Sequence, residues 1–398
     1  MPRLVGAILF VAMLTSSFAR IEPAPFDIII CGWFALSFLI AGFAYHPRIR
    51  LPTIGVAIFL VTTFATLPGT RMSAFNIRFA AVTLYLGVLW FFLAQLILRF
   101  GARAKDIIVN GWAISAIVST ALCLLVYFLQ APGVEYISRQ GRVFGLFKDP
   151  NVYSAYLVFP FIFCLSRYLR GRGTAKITWA ISLLIISTGL LVTYSRAAWG
   201  ASLFAVAAYG GIGMLSKSKR GSTAKGVVVF AIIMTIVGTV VLYLLQNEEI
   251  ATMFSHRTKM QRYDSDRFYT QFEALRMSVE NPLGLGPGVS EIAFSRAIHN
   301  LYIRALVENG VLGLLSIGLL LGTTLVVCTV TSIQRRMLDP RADSAIIAAA
   351  LWAVTIQSVV IDTIHWRHFW ILLALGWWLP VSATEDGKAS TTTKATSR

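Results

Sequence analysis

Residues 301–333 read LYIRALVENGVLGLLSIGLLLGTTLVVCTVTSI, and from Val311 to Ile333 no side chain carries a formal charge. A helix rises 1.5 Å per residue, so this stretch is long enough to cross about 30 Å of hydrocarbon. Apolar stretches recur from end to end, and twelve are predicted: 4–19, 26–44, 53–67, 79–98, 107–129, 150–168, 176–193, 197–215, 226–246, 301–333, 343–361 and 367–381. Of the 398 residues, 57% are hydrophobic and only 13% charged. Soluble domains carry nearly twice that charge, so composition excludes an ordinary soluble globular protein. The expected fold class is all-α: a polytopic membrane protein with about twelve transmembrane helices and one helical loop.

The formal charge of +17 raises a nucleic-acid partner, but the distribution of cations gives another cause. With the N terminus inside, the cytoplasmic connections hold the clusters Arg99, Arg103 and Lys105, then Arg167, Arg170, Arg172 and Lys176, then Lys217, Lys219, Arg220 and Lys225, then Arg335 and Arg336. Few acids accompany them, chiefly Asp106, Asp339 and Asp343. The net charge is thus an orientation signal of the positive-inside kind, and the nucleic-acid reading loses its main support. An even number of spans puts both termini in the cytoplasm. Reporters fused at Lys219 and near Gln261 are expected to report opposite sides of the membrane, and agreement between them refutes this topology.

The first apolar run ends in Ser17-Phe18-Ala19, which imitates a signal-peptide cleavage site, but it also fits a short first span. Cys31, Cys123, Cys164 and Cys328 lie inside apolar runs without a C-x-x-C pair and read as small core residues. Residues 1–382 form a single predicted transmembrane domain, and the Ser/Thr/Lys-rich stretch 383–398 a disordered cytoplasmic tail. Two outer connections, 130–149 and 247–300, are long enough to hold function. In the second, Asp264-Ser265-Asp266 offers helix caps, and Phe268, Phe272, Leu275 and Val279 recur at helical spacing. Asn281-Pro282 ends that helix, and Leu283-Gly284-Leu285-Gly286-Pro287-Gly288 reads as a tight re-entry loop.

Arginine is the natural candidate for binding phosphate, because its planar fork stays charged and matches phosphate oxygens. Arg142 stands shortly before Lys148-Asp149-Pro150-Asn151, and Arg196 at the junction of two spans; each also suits a plain interfacial anchor. Arg267 and Arg276 are nine residues apart and so face opposite ways on their helix. Arg276 has Glu273 and Glu280 at pairing distance along the helix, which leaves Arg267 the freer cation in this reading. His299 precedes the tenth span and is a candidate base, with Asn300 beside it able to hold a sugar hydroxyl. Glu308 falls on the face opposite His299 and suits Arg304, four residues earlier. Asp362, His365 and His368 could meet a metal if their turn were helical, although Trp366 and Trp370 favour a polar turn in an aromatic belt.

Taken together, these segments resemble the O-antigen ligase and O-antigen polymerase family of bacterial polysaccharide glycosyltransferases. The resemblance rests on Gly141-Arg142-Val143-Phe144-Gly145-Leu146-Phe147-Lys148-Asp149-Pro150-Asn151, on Thr193-Tyr194-Ser195-Arg196-Ala197-Ala198, and on Arg267 through Asn281-Pro282-Leu283-Gly284-Leu285-Gly286 to His299-Asn300-Leu301-Tyr302. It implies a glycosyltransferase C-like enzyme of the bacterial inner membrane, working at the periplasmic face without a cofactor or metal. The donor would be a glycan on undecaprenyl pyrophosphate, and the acceptor a sugar hydroxyl on a growing glycan or a lipid core. His299 would be the general base and Arg196 and Arg267 would bind the pyrophosphate, with Arg142, Asn151, Asn300 and Arg304 in contact with substrate. A single displacement would invert the anomeric centre.

Polymerisation of exopolysaccharide or O-antigen repeat units is the favoured reaction. The rival within the family is ligation of finished chains to lipid A core. A lipid-linked glycan transporter or flippase is the rival from another class. It is disfavoured because the span interiors hold almost no charge, with Gln95 and Gln357 among the few strongly polar residues.

Overall fold

The computed structural model describes residues 1–41, 45–215, 262–294, 296–338 and 343–378. The ninth predicted span, the start of the large loop at 247–261 and the tail 383–398 lie outside the described residues. Within them the fold is helical, as expected, apart from one two-residue hairpin. Seven helices are long and apolar enough to cross a membrane: Pro47–Thr70, Ala74–Phe100, Ala102–Phe128, Pro150–Arg170, Gly173–Val192, Arg196–Leu215 and Leu301–Gln334. Helices also stand at Arg3–Leu14, Pro25–Ala41, Ser344–Gln357 and Arg367–Leu375, where four further spans were expected, but these are shorter. A count of twelve is therefore an expectation that the described helices do not establish.

The helices run at the predicted places because apolar residues fill them and polar caps stop them. Ser73 and Asp149 accept backbone N–H bonds at the starts of Ala74–Phe100 and Pro150–Arg170, and Pro150 follows Asp149 at the first helical position. The hydrophobic core joins Trp90, Trp112, Tyr156, Phe159, Phe163 and Trp370, all essentially inaccessible. The long helix Leu301–Leu338 packs along Arg50–Thr66, and Ser344–Gln357 lies against Arg196–Leu215. The four cysteines are free thiols. At one end of the bundle Lys105, Arg167 and Arg170 converge on Asp343 at 2.8, 3.1 and 3.2 Å, which ties three helices of the basic side together.

Residues 130–149 form a compact cap. Its hairpin pairs Ser138 with Val143 and Arg139 with Arg142, and the turn Gln140-Gly141 has both residues at positive φ, the geometry of a tight right-twisted hairpin. The large loop contributes the helix Arg262–Glu280, which begins ahead of the expected caps and ends at Asn281 as predicted. It packs on the long helix. Thr270, Ala274 and Ser278 are buried, whereas Phe268, Phe272, Leu275 and Val279 are 43–82% exposed. Periodicity located the helix correctly. It did not say which side the core would take, because small residues allow the closer approach.

Candidate active site

The long helix is broken inside the bundle. Gly310 sits at φ 70° and ψ −170°, and the loop after Asn281 lies against the break. Leu285 N donates to the Val307 carbonyl at 2.8 Å, Gly286 N to the Glu308 carbonyl at 2.9 Å, and Val311 N to the Pro282 carbonyl at 2.9 Å. Loop and helix thus satisfy each other's backbone groups where the helical ladder is interrupted, as unwound backbone within a bilayer requires. Gly284 and Gly310 meet backbone to backbone at positive φ, so a Cβ on either would collide with the other strand. The re-entry loop read from the sequence is therefore correct in kind, and its partner is the broken helix.

Arg304 stands nearly two turns before the break and is 5% exposed. Its Nη1 reaches Glu291 Oε1 at 2.9 Å and Asp362 Oδ2 at 2.5 Å, and its Nε lies 3.1 Å from Glu308. The Phe79 ring lies under the guanidinium at 5.2 Å, and the Ser290 hydroxyl donates to Glu308. The pairing with Glu308 was legible in the sequence; Glu291 and Asp362 were not assigned to it, because only the tertiary fold brings them there. Arg304 accordingly clamps three segments together. The expectation that span interiors hold almost no charge is corrected by the same cluster.

His299 closes the loop at φ 44°, a left-handed conformation uncommon for this residue, directly before the long helix. Its neighbours are fixed on both sides. Gln271 donates to the Ile298 carbonyl at 3.2 Å. Asn300 accepts from Tyr302 N at 2.9 Å and Ile303 N at 3.0 Å and donates to the Val359 carbonyl at 2.8 Å. Asn300 is therefore the helix cap, its carbonyl held by the start of the long helix and one amide hydrogen by the Val359 carbonyl. Arg267 donates to the adjacent Val360 carbonyl, so the loop helix and the 358–366 turn meet around His299. Burial first, and then the positive charge of Arg267, lower the pKa of His299, while the carboxylates of Asp362, Glu291 and Asp149 act in the other direction.

Asp149 links this centre to the first loop. Arg142 donates through Nε to the Thr193 carbonyl at 2.8 Å and through Nη2 to Asn151 Oδ1 at 3.1 Å. It thereby joins the hairpin, the start of Pro150–Arg170 and the turn Tyr194-Ser195-Arg196, where Tyr194 is also left-handed at φ 51°. Arg196 is exposed at the first residue of its helix. Arg142 and Asn151 thus hold the turn that presents Arg196. The Asp-Pro pair at 149–150 is the signal that could have identified Asp149 as a cap near the site.

Asp362, His365 and His368 point to separate partners. Asp362 pairs with Arg304, His365 Nε2 lies 3.0 Å from Thr83 Oγ1, and His368 sits among Trp112, Tyr156 and Trp366. Burial raises the Asp362 carboxyl, but Arg304 first, then His365 and the Ile364 N–H, together hold it below its usual range. Burial, assisted by Arg304, pushes His365 down to about 4, so it is neutral at physiological pH. Among the described residues no group of three or more His, Cys, Asp or Glu side chains is arranged to hold a metal ion.

Helices of membrane-crossing length and a polar centre of arginines and one strained histidine define an integral-membrane protein with a charged site at one end of its bundle. Residues 181–318 match the family model described as O-antigen ligase, which supports the resemblance that the motifs indicated. The matched segment includes Arg196, Arg267, His299, Arg304 and Glu308, and excludes Arg142 and Asn151. No curated protein matches the chain.

Proposed function

We propose that the protein is an inverting glycosyltransferase that moves a glycan from undecaprenyl pyrophosphate to a sugar hydroxyl at the periplasmic face of the bacterial inner membrane. The observation that carries this reading is His299, held in a left-handed conformation beside Arg267 with a lowered pKa. A glycosyl pyrophosphate already contains a good leaving group. The protein then has two tasks, to receive a proton from the acceptor hydroxyl and to offset the charge that grows on the departing pyrophosphate. His299 takes the proton, and Arg196 and Arg267 hold the pyrophosphate. Arg142, Asn151, Asn300 and Arg304 serve by keeping these groups in place. Guanidinium groups supply the positive charge, so the proposed step needs no metal.

Like charge suits this arrangement, because a base must be unprotonated and Arg267 disfavours the imidazolium. Polymerisation of repeat units is the preferred outcome. Ligation to lipid A core is the second reading, favoured by the description of the matched family. Purified protein given a lipid-linked repeat unit alone is expected to form a ladder of products. Single additions that require a lipid-core acceptor would establish the ligase reading, and absence of transfer under both conditions would overturn the proposal.

Arg267→Ala is expected to lower transfer far more than Arg276→Ala at equal protein level. It should also move the acid limb of the pH profile upward, toward the ordinary histidine value of about 6.5, since one cause of the depression is gone. Equal losses in the two variants, or an unmoved limb, would count against Arg267 as the partner of His299.

A further inference from the structure

The loop helix Arg262–Glu280 turns its most apolar side away from the protein. Phe268 is 56% exposed, Tyr269 67%, Phe272 65% and Val279 82%. At about 100° per residue these positions and Leu275 fall within roughly a third of the helix circumference, and Arg267 and Gln271 lie away from that arc, toward the site. Three aromatic rings, each about three-fifths exposed, present several hundred Å² of apolar surface at roughly 200 Å² a ring, far beyond what a solvated helix normally shows.

The stripe has a continuation. After Val279 comes Leu283, 78% exposed, and the Pro282 carbonyl accepts from Val311 N of the long helix. From there Val311, Leu312, Leu315, Val326 and Val330 carry exposed apolar surface down the outside of that helix, which has the length and composition of a membrane span. Acyl chains are the expected surroundings of that face. The stripe is joined to it at the re-entry loop, where Leu283 follows Glu280, Asn281 and Pro282 and the Pro282 carbonyl is tied to Val311. Arg276 is exposed at the edge of the stripe, and among the described residues no ion pair joins it to Glu273 or Glu280. An arginine in that position can reach lipid phosphates while its stem covers apolar surface.

We infer that the helix Arg262–Glu280 lies in the interface of the bilayer on the site's side, its Phe268, Phe272, Leu275 and Val279 face in the acyl boundary and its Arg267 face on the site. The lipid surface then forms the outer wall against which Arg267 is set, and the depth of the helix fixes the height of its guanidinium beside His299. Interfacial helices of this kind gain affinity from buried apolar area and respond to lipid composition.

A photoreactive phenylalanine analogue placed at Phe272 or at Val279 tests this in the full-length protein, reconstituted in vesicles of phosphatidylethanolamine and phosphatidylglycerol. Mass spectrometry of the irradiated protein is expected to find phospholipid adducts at both positions in about tenfold excess over the same probe at Gln140, the exposed hairpin tip. Crosslinks from 272 and 279 to residues 216–261 of the same chain would show that the stripe is covered by protein, and crosslinked pairs of chains would show a second copy there. Either result, or adducts no more frequent than at 140, overturns the inference. The readout is independent of glycan transfer, so it stands or falls apart from the proposed reaction.

Discussion

His299→Asn in the purified, membrane-reconstituted protein is expected to cut transfer by a factor of about 100 to 10,000, the usual cost of losing a general base. Asparagine is the informative replacement, because it tolerates the left-handed backbone that His299 occupies and removes only the proton acceptor. The variant should accumulate and melt like the parent and still bind the lipid-linked donor. Near-normal turnover would remove His299 from the chemistry, and failure to accumulate would give it a structural role. In the parent, the lowered pKa leaves the imidazole neutral at pH 7, so turnover should be flat through neutrality and fall only as acid protonates it below about 6.5. A profile that rises steeply between pH 7 and 8 would require a different base.

The second large effect belongs to Arg304. Arg304→Met leaves Glu291, Glu308 and Asp362 facing one another without their cation, two of these carboxylates being well buried. Breaking a buried ion pair from one side costs about 3–5 kcal/mol, because the remaining charge has neither water nor partner. The variant should show a strongly lowered melting temperature in detergent and poor accumulation in the membrane. The double variant Arg304→Met with Glu308→Gln should recover part of the loss, since one orphaned charge is removed along with the cation. Unchanged melting of Arg304→Met would mean that the cluster is not what holds the loop to the helix. Loss of transfer in a normally stable variant would return Arg304 to the substrate.

These two residues illustrate different degrees of legibility. His299 could be proposed from sequence because its neighbourhood is local: a Gly/Pro loop before it, an amide after it, a span beginning at once. Arg304 was visible only in its pairing with Glu308, since i,i+4 spacing is local as well. Its other partners come from residues 13 positions before it and 58 after it, and no periodicity connects them. Asp362 was accordingly grouped with His365 and His368, near in sequence, when its charge is spent on Arg304. Asn300 was proposed as a sugar contact from the chemistry of its amide, whereas only the fold showed that its carbonyl caps the long helix and that one of its two amide hydrogens goes to the Val359 carbonyl.

Hydrophobic run length and the placement of Lys and Arg determined, by themselves, that the chain is a helical membrane protein and where its described helices lie. That much is a property of composition over some 20 residues at a time, since hydrocarbon demands local apolarity and internally satisfied backbone. The tertiary structure alone decided which face of the loop helix turns inward, how the Gly310 break is stitched by a loop, and that Arg267 meets His299. Those outcomes depend on close approach of small residues and on charges brought together across the bundle, and neither the side of a helix that a partner selects nor the carboxylate that reaches an arginine from a distant turn is written in any short window of the chain.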